Sequence, residues 1–339
     1  MNNFVKPTQT VDAQAIPTEA QLLERARGLL PMLMDKAESV EKNRMVSSQT
    51  IEAFVDAGFF KILQPKEYGG WEMAPAVFYK VLMELGRGCC SSAWNMMILG
   101  IHQWEYGSLP EQACLDAWGE DNAVITASSY PPFGKVEEVE GGFNISGTWK
   151  TSSGCDHGKW AFLGGLRRDA SGQVIDRMSM LVPSSAWVIE DDWHTFGLAG
   201  TGSKSLVIKH AFVPYHRAHS LIQYTLSERP ANYLYPFNQI FFGAVSALIV
   251  GMAQGGIDEY IRQMSVRTNT TDGAGAALSP YVKDRLGNAV VRVRSARARL
   301  LQMLAESSEY VERRELVPAV DRVHYMLDIA RVGRDCEEA

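Results

Sequence analysis

The sequence predicts an α+β protein whose chain order is helical, β, then helical. Apolar residues recur at helical spacing up to about residue 120 and again after residue 216, whereas short runs rich in β-branched and aromatic residues lie between them. The length of 339 residues also favours more than one domain. We therefore expect a flexible arm over 1–17, a helical domain over 18–122, a β domain over 123–215 and a helical bundle over 216–339.

The composition argues against several classes of protein. A hydrophobic content of 46% and a charged content of 21% are ordinary for a soluble globular protein, and the net charge of -6 disfavours a nucleic-acid partner. The five cysteines form no C-x-x-C pair and fit a reducing cytoplasm. The N-terminus lacks a secretory signal pattern, and the apolar run 240–252 is too short to span a membrane. We expect a cytoplasmic protein without a membrane partner.

The first helical unit begins after Pro17, where a single apolar stripe starts. That stripe consists of Leu22, Ala26, Leu29, Leu33 and Ala37. Further helices are predicted near residues 48–58, 75–85, 91–104 and 110–118, the first of them with an N-cap in the Ser47-Ser48 pair.

The β unit is marked by a hairpin signal, in which Glu140-Gly141-Gly142 separates two alternating runs. Other short strands are expected around residues 124–127, 160–163, 178–182, 187–189 and 206–208. Six or seven strands in about 90 residues are typical of a small barrel or sandwich.

Helical patterns resume after Pro214. Residues 240–267 could form one helix or two, and Ser279-Pro280 starts an amphipathic helix of roughly 30 residues, about 45 Å long. A last helix is predicted from near Pro318 to Ala339. Because no stop signal ends it, we expect that this chain lacks a C-terminal segment.

Familiar catalytic and nucleotide-binding motifs are absent from the sequence. His216 and His219 are the only close histidine pair, and since no third ligand accompanies them, no metal site is predicted. The remaining candidates for a functional site are two clusters of hydroxyl residues, at residues 126–129 and 151–153. Short hydroxyls can both donate and accept hydrogen bonds along the edge of a flat ligand such as a flavin, although serine and threonine are also simply common on exposed strands.

Three other positions allow two interpretations each. His102, in an apolar helical run with Trp94 two turns earlier, is either a core histidine or a polar group turned into a substrate pocket. Arg267, at a helix end, is either a surface residue or a phosphate ligand. The Thr201-Gly202-Ser203 turn either presents amides to a ligand or is only a turn.

At this point the chain resembles a known family, the acyl-CoA dehydrogenase fold. Residues 44–70 resemble its N-terminal part. Two β-unit stretches, P-F-G-K-V-E-E-V-E-G-G at 132–142 and S-S-G-C-D-H at 152–157, resemble its flavin-dependent monooxygenase branch, in particular oxygenase components of the p-hydroxyphenylacetate 3-hydroxylase type. The turn G-L-A-G-T-G-S at 197–203 is similar to a turn of the same branch. The resemblance covers residues 20–339.

The resemblance implies a two-component enzyme. A separate flavin reductase would supply FMNH2 or FADH2, O2 would add at flavin C4a, and the resulting hydroperoxide would hydroxylate an aromatic substrate, phenolic or indole-like. Ser153 would face flavin N5, Ser128 would lie near the ring and the substrate, and His102 would contact the substrate phenol. Trp94 would lie beside the flavin. Arg267 would reach flavin phosphate across a subunit interface, which implies a homotetramer.

Ser129, Thr151, Ser152 and Ser203 complete the predicted cofactor-binding set. Two alternatives remain at this stage. An acyl-CoA dehydrogenase would carry a tryptophan where Thr151 stands and a glutamate base late in the bundle, for which no convincing candidate precedes Ala339. A catalytically silent bundle protein would bind no flavin at all.

Overall fold

The structure, a computed structural model, describes residues 16–226, 228–268, 273 and 275–339, in which two helical regions flank a pair of β-sheets. The predicted arm therefore lies outside the described residues, except for Ile16 and Pro17. The helices are α1 (Glu19–Asn43), α2 (Ser48–Asp56), α3 (Pro75–Leu85), α4 (Cys90–Glu105), α5 (Glu111–Trp118), α6 (Phe237–Val266), α7 (Pro280–Glu312) and α8 (Ala319–Glu337). The strands are β1 (Thr126–Ser129), β2 (Lys135–Val139), β3 (Gly142–Ser152), β4 (Trp160–Arg168), β5 (Val174–Pro183), β6 (Val188–Glu190), β7 (Lys204–Pro214) and β8 (Ala218–Ser220).

Helix α1 starts at a capping box, since Thr18 accepts from the Gln21 amide while the Gln21 side chain accepts from the Thr18 amide. It ends where Arg44 takes a left-handed conformation. The predicted apolar stripe is fully buried at Leu22 and Leu33. Burial of that stripe fixes α1 against α3 and α4.

Helix α4 is buried on nearly all sides, which makes it the central helix of the N-terminal region. It contacts α6, α3 and β1. Because burial leaves no water to satisfy its polar side chains, His102 and Glu105 need partners inside the protein. The partners of Glu105 support the site described below.

The eight strands of the described residues form two open four-stranded sheets, in the orders β1-β4-β5-β8 and β2-β3-β7-β6. The β unit is thus a sandwich rather than a closed barrel. The pairing of β1 with β4 is parallel, and the other pairings are antiparallel. The predicted hairpin joins β2 to β3 through Gly141, whose φ of 84° suits a glycine turn.

Two contacts hold the sheets together near one end. The indole of Trp149 on β3 donates to the Gly164 carbonyl on β4 at 2.8 Å, and the Ser129 hydroxyl on β1 donates to the Lys150 carbonyl at 2.6 Å. A register shift between Trp149 and Ser152 forms a bulge that contains Thr151 at φ 59°. A β-branched residue in the left-handed region is strained, and such strain clusters at functional sites.

The C-terminal helices form a bundle in which α6 contacts α3, α4, α7 and α8. Residues 237–266 form one continuous helix of 30 residues, so the single-helix alternative is correct. By length and composition alone α6 could cross a membrane, but half of its most apolar stretch is buried against the rest of the chain, as in the core helix of a soluble protein. Its N-terminal end contributes to the site.

Candidate active site

A cavity of about 720 Å³ lies where α4, β1, the end of β3, the 198–203 turn and the start of α6 meet. One wall carries hydroxyls, from Ser128, Ser129, Thr151, Ser153, Thr201 and Ser203. Aromatic rings also line the cavity, from Trp94, Trp193, Phe237, Phe241 and Phe242. Flat ligands are commonly held in this way, by an apolar enclosure with a few convergent polar groups.

Ser153 belongs to a chain of hydrogen bonds that runs along the cavity lining to the 198–203 turn. The indole N–H of Trp94 donates to Ser153 Oγ at 2.9 Å, Ser153 Oγ lies 2.7 Å from Ser203 Oγ, and Ser203 Oγ lies 2.7 Å from Thr201 Oγ1. Thr201 donates to the Leu198 carbonyl at 2.8 Å. Because a carbonyl can only accept, each hydroxyl in turn donates toward Leu198. Ser153 therefore donates its hydroxyl proton to Ser203 and can act toward the cavity only as a hydrogen-bond acceptor.

The hydroxyls of Ser129 and Thr151, like that of Ser153, donate to the protein and not to the cavity. Both hydroxyls donate to the Lys150 carbonyl, at 2.6 Å and 2.7 Å respectively. Lys150 lies inside the bulge, outside the paired register of β3 and β7, so its carbonyl is available to these two donors. Ser129 and Thr151 consequently also turn lone pairs toward the cavity.

Ser128 is oriented through Tyr130. Tyr130 donates its proton to Glu105 Oε2, and the Ser128 hydroxyl lies beside the Tyr130 phenol. Burial raises the pKa of Tyr130 well above its ordinary value, so the phenol keeps its proton for Glu105. Since that single proton is committed, the Tyr130 oxygen can act toward Ser128 only as an acceptor.

Glu105 is a fully buried carboxylate held by four donors. Ser179 Oγ and His219 Nε2 approach Oε1 at 2.7 Å and 2.9 Å, and His102 Nδ1 and Tyr130 approach Oε2, the former at 3.1 Å. Burial by itself would raise the pKa of Glu105, but the hydrogen bonds and charges of His102 and His219 outweigh it and lower the pKa to about 2. Glu105 is therefore ionised inside the protein.

The two histidines around Glu105 differ. His219 directs Nε2 to Glu105 and Nδ1 to the Ser220 carbonyl at 3.1 Å, so both of its ring nitrogens face acceptors. His102 directs Nδ1 to Glu105, whereas its buried Nε2 has no partner among the described residues. Both histidines therefore support the Glu105 carboxylate, but only His219 has a partner at each ring nitrogen.

The structure places His102 one layer behind the cavity wall, and not in it. Its ring is fully buried and packs against Tyr130 and Phe241, both of which line the cavity. The reason is the hydrogen bond with Glu105, three residues later on α4, which draws the imidazole inward. The group that faces the cavity at this point is Tyr130 with Ser128.

Two other predicted residues lie away from the cavity. Ser152 is buried with its Oγ unpartnered, but it does not line the cavity, since adjacent residues on a strand point to opposite faces. Arg267 is exposed at the end of α6, roughly 33 Å along the helix axis from the cavity residue Val245. It cannot reach the cavity of its own chain.

Sequence reasoning missed Tyr130, Glu105 and His219. The spacing of His102 and Glu105 on a predicted helix was a usable signal, because residues three apart lie on one face. His219 was noted only as half of a histidine pair, and the structure separates that pair: His216 contacts Asp116 at 2.8 Å, whereas His219 contacts Glu105. The described residues include no group of three or more His, Cys, Asp or Glu suited to a metal ion.

Comparison with protein families agrees with this architecture. The acyl-CoA dehydrogenase N-terminal domain matches residues 17–109, and the acyl-CoA dehydrogenase C-terminal domain matches residues 244–339. The fold and the cavity therefore define an acyl-CoA dehydrogenase-type protein. No carboxylate lines the cavity within the described part of the chain, so the glutamate base of a dehydrogenase has no counterpart there.

Individual relatives narrow the class. The oxygenase subunit HsaA of a flavin-dependent monooxygenase from Rhodococcus jostii (strain RHA1) is 33% identical over 318 residues, which cover 91% of this chain and 83% of the relative. The oxygenase component of p-hydroxyphenylacetate 3-hydroxylase from Acinetobacter baumannii is 31% identical, over 86% of this chain and 70% of the relative. The crystal structure of 3-HSA hydroxylase from Rhodococcus sp. RHA1 superposes with a TM-score of 0.88 at 32% identity, over 93% of this chain and 83% of that one.

The chain belongs to the oxygenase components of flavin-dependent monooxygenases within the acyl-CoA dehydrogenase family. The family, the fold and the enzyme class expected from the sequence are thereby confirmed. A separate flavin reductase is implied by the two-component organisation of these relatives. The roles of individual residues remain predictions.

Proposed function

We propose that the 720 Å³ cavity binds reduced flavin, FMNH2 or FADH2, and an aromatic substrate, which the enzyme hydroxylates with O2. The observation that carries the proposal is the common direction of the hydrogen bonds around the cavity. The hydroxyls of Ser129, Thr151 and Ser153 all donate to protein acceptors and leave lone pairs for the cavity. Reduced flavin bears a hydrogen at N5, whereas oxidised flavin has an unprotonated nitrogen there, so a wall of acceptors matches the reduced form.

The residues present fit a flavin ring. Ser153 is our candidate to accept from N5, with Ser129, Thr151 and Ser203 along the same edge and Trp94 holding Ser153 in place. When bound, the reduced flavin supplies the oxygen activation. The chain contributes orientation and a water-poor pocket, because the aromatic rings of Phe237 and Phe241 line the same cavity as the hydroxyls.

Substrate orientation is assigned to Ser128. Its lone pair can accept from a phenol O–H or an indole N–H, while Tyr130 and Glu105 keep it oriented. His102 acts in this proposal through Glu105 and Tyr130, as a positioning residue, because it has no surface in the cavity. Substrates with a hydrogen-bond donor on an aromatic ring are favoured.

The assembly and location follow the same proposal. Arg267 would reach flavin phosphate in a second copy of the chain, since it cannot reach its own cavity, and this supports a homotetramer. The absence of a nicotinamide-binding fingerprint in the sequence supports a diffusing flavin supply from a separate reductase. We infer a cytoplasmic enzyme with no membrane and no nucleic-acid partner.

The test compares flavin states and products. The protein should bind anaerobically reduced FMN or FAD at least tenfold more tightly than the oxidised flavin, and addition of O2 with a phenol should give a product heavier by one oxygen atom. Tightly held oxidised FAD that an acyl-CoA reduces would instead identify a dehydrogenase. No affinity for flavin in either state would identify a catalytically silent bundle protein.

A further inference from the structure

A methionine of α4 lines the 720 Å³ cavity and has no part in the reaction proposed above. The α4 residues that line this cavity follow helical spacing and form one face of the helix, which consists of Trp94, Met97, Ile98 and Ile101. Met97 is the only sulfur-containing residue in the cavity lining within the described part of the chain. The cavity therefore contains one polarisable, oxidisable group among its aliphatic side chains.

Met97 lies close to the part of the cavity that is assigned to the edge of the flavin. It follows Trp94 by three residues, so the two side chains are neighbours on the helix, with about 5–6 Å between their Cβ atoms. The Trp94 indole donates to Ser153 Oγ at 2.9 Å, and Ser153 is the candidate acceptor for flavin N5. An oxidant formed at this edge of the flavin would therefore arise near the Met97 thioether.

Bulk solvent has little access to Met97. Only 1% of its surface is exposed, whereas Met34 and Met45 are 56% and 37% exposed. Because oxidation by a dissolved reagent follows exposure, H2O2 added from outside should modify Met34 and Met45 before Met97. Oxidation of Met97 ahead of these two residues would require an oxidant that is generated inside the cavity.

We propose that Met97 is a self-oxidation site, which becomes methionine sulfoxide when the enzyme consumes O2 without an aromatic substrate. This inference rests on the proposed function, because that function brings reduced flavin and O2 into the cavity. In the absence of substrate, O2 takes two electrons and two protons from reduced flavin and becomes H2O2, while the flavin is oxidised. The lone pair of the Met97 sulfur then takes one oxygen atom of H2O2, the O–O bond breaks, and the other oxygen leaves as water with both hydrogens.

The modification would change the apolar part of the cavity. Methionine sulfoxide replaces a flexible apolar side chain by a polar one. The side chains of Ile101, Ala244 and Val245 line the same cavity and offer no hydrogen-bond donor to the new oxygen atom. An oxidised enzyme should therefore bind aromatic substrates more weakly. A bound substrate should protect Met97, because it accepts the oxygen atom itself and occupies the space that H2O2 would enter.

The experiment compares three treatments of the full chain, each followed by mass spectrometry of its peptides. The first uses reduced flavin and O2 with catalase, which removes H2O2 from bulk solvent. Met97 should then carry one added oxygen atom at about tenfold higher occupancy than Met34 or Met45. The second treatment includes a phenol, which should lower the occupancy at Met97. The third adds H2O2 to the flavin-free protein, and Met34 and Met45 should then be modified first.

Two leucine variants isolate the position of the sulfur atom. Met97→Leu keeps the volume of the side chain and removes the sulfur. After the first treatment the wild type should bind a phenol about tenfold more weakly than before, as expected for an unpaired polar group in an apolar site, whereas Met97→Leu should keep its starting affinity. Met96→Leu is the matched control, because Met96 is fully buried but does not line the cavity. It should respond to the treatment as the wild type does.

The outcomes separate this inference from the proposed function. Hydroxylated product in the second treatment, together with unmodified Met97 in the first, would overturn the inference alone. Equal occupancy at Met97 and Met34 in the first treatment would also overturn it, since the oxidant would then come from bulk solvent. Oxidation of Met97 without hydroxylation of any aromatic compound would leave the self-oxidation site standing and reject the proposed substrate class. Absence of both product and Met97 oxidation would reject the inference and the proposed function together.

Discussion

Two hydrogen-bond networks reach the cavity from opposite sides and orient its hydroxyls in the same direction by different means. The Ser153 network ends at the Leu198 carbonyl, which can only accept. The Ser128 network ends at Glu105, whose ability to accept depends on its ionisation, which hydrogen bonds from His102 and His219 support. The first network consists of neutral groups, whereas the second joins helix α4 to three strands of one sheet through a buried carboxylate. We expect the first to govern flavin chemistry and the second to govern both substrate orientation and stability.

The largest effect should come from Glu105→Gln. The amide cannot replace a carboxylate that accepts from four groups, and it removes the buried negative charge that His102 and His219 face. Breaking a buried ion pair by removal of one partner costs about 3–5 kcal/mol. The free energy of unfolding, measured with urea, should fall by that amount. Glu259→Gln, which removes an exposed carboxylate paired with Arg262, should leave the unfolding midpoint unchanged.

The pH dependence of stability should distinguish the two networks. Because folding lowers the pKa of Glu105 to about 2, from an ordinary value of about 4.3, its contribution is fully present above the unfolded pKa and is lost as the pH falls toward 2. The shift corresponds to roughly 3 kcal/mol. The stability difference between the wild type and Glu105→Gln should therefore shrink between about pH 5 and pH 2. A constant difference over that range would show that Glu105 is not held ionised by its partners.

Ser153→Ala should act on chemistry with little effect on stability. Loss of this acceptor leaves the N5 hydrogen of the proposed flavin unpaired in a buried site, at a cost of about 1–3 kcal/mol. Affinity for reduced flavin should fall about 10- to 100-fold, and more of the consumed O2 should appear as hydrogen peroxide instead of product. Ser152→Ala is the matched control, because Ser152 is equally buried but lies outside the cavity. If the wild type and Ser153→Ala convert the same fraction of the consumed O2 into product, Ser153 does not have its proposed role.

The sequence carried enough information for the fold because periodicity and turn chemistry are local. The 3.6-residue stripe of α1 and the Gly141 turn of the β2–β3 hairpin are set by neighbouring residues, and both are found in the structure. The serine and threonine clusters at residues 126–129 and 151–153 also predicted the hydroxyl groups that line the cavity. The number of strands and the continuity of α6 were less certain, since β8 has only three residues and the glycines of α6 weaken its helical signal.

The direction of the hydrogen bonds could not be read from the sequence. His102 and Glu105 share a helix face, but His219 comes from a strand 114 residues further along the chain. Only tertiary packing brings that imidazole to Glu105, and without it neither the lowered pKa of Glu105 nor the placement of His102 behind the cavity wall follows. A lone serine on a strand likewise gives no indication of whether it donates or accepts, because that depends on Thr201 and Leu198 in a distant turn.

The smallest effect is expected from Thr201→Val, and it tests the direction of the Ser153 network alone. Valine keeps the shape of threonine but removes the acceptor for Ser203, so Ser203 can turn its proton to Ser153, and Ser153 can then donate into the cavity. A donor at this position suits the unprotonated N5 of oxidised flavin. The preference for reduced over oxidised flavin should therefore fall about fivefold, the equivalent of one neutral hydrogen bond of about 1 kcal/mol. Fluorescence titration with both flavin states measures this ratio. Thr201→Val could leave the ratio of the two flavin affinities unchanged while Ser153→Ala lowers it. In that case Ser153 accepts a hydrogen bond from the flavin, but Thr201 does not set the direction of its hydroxyl.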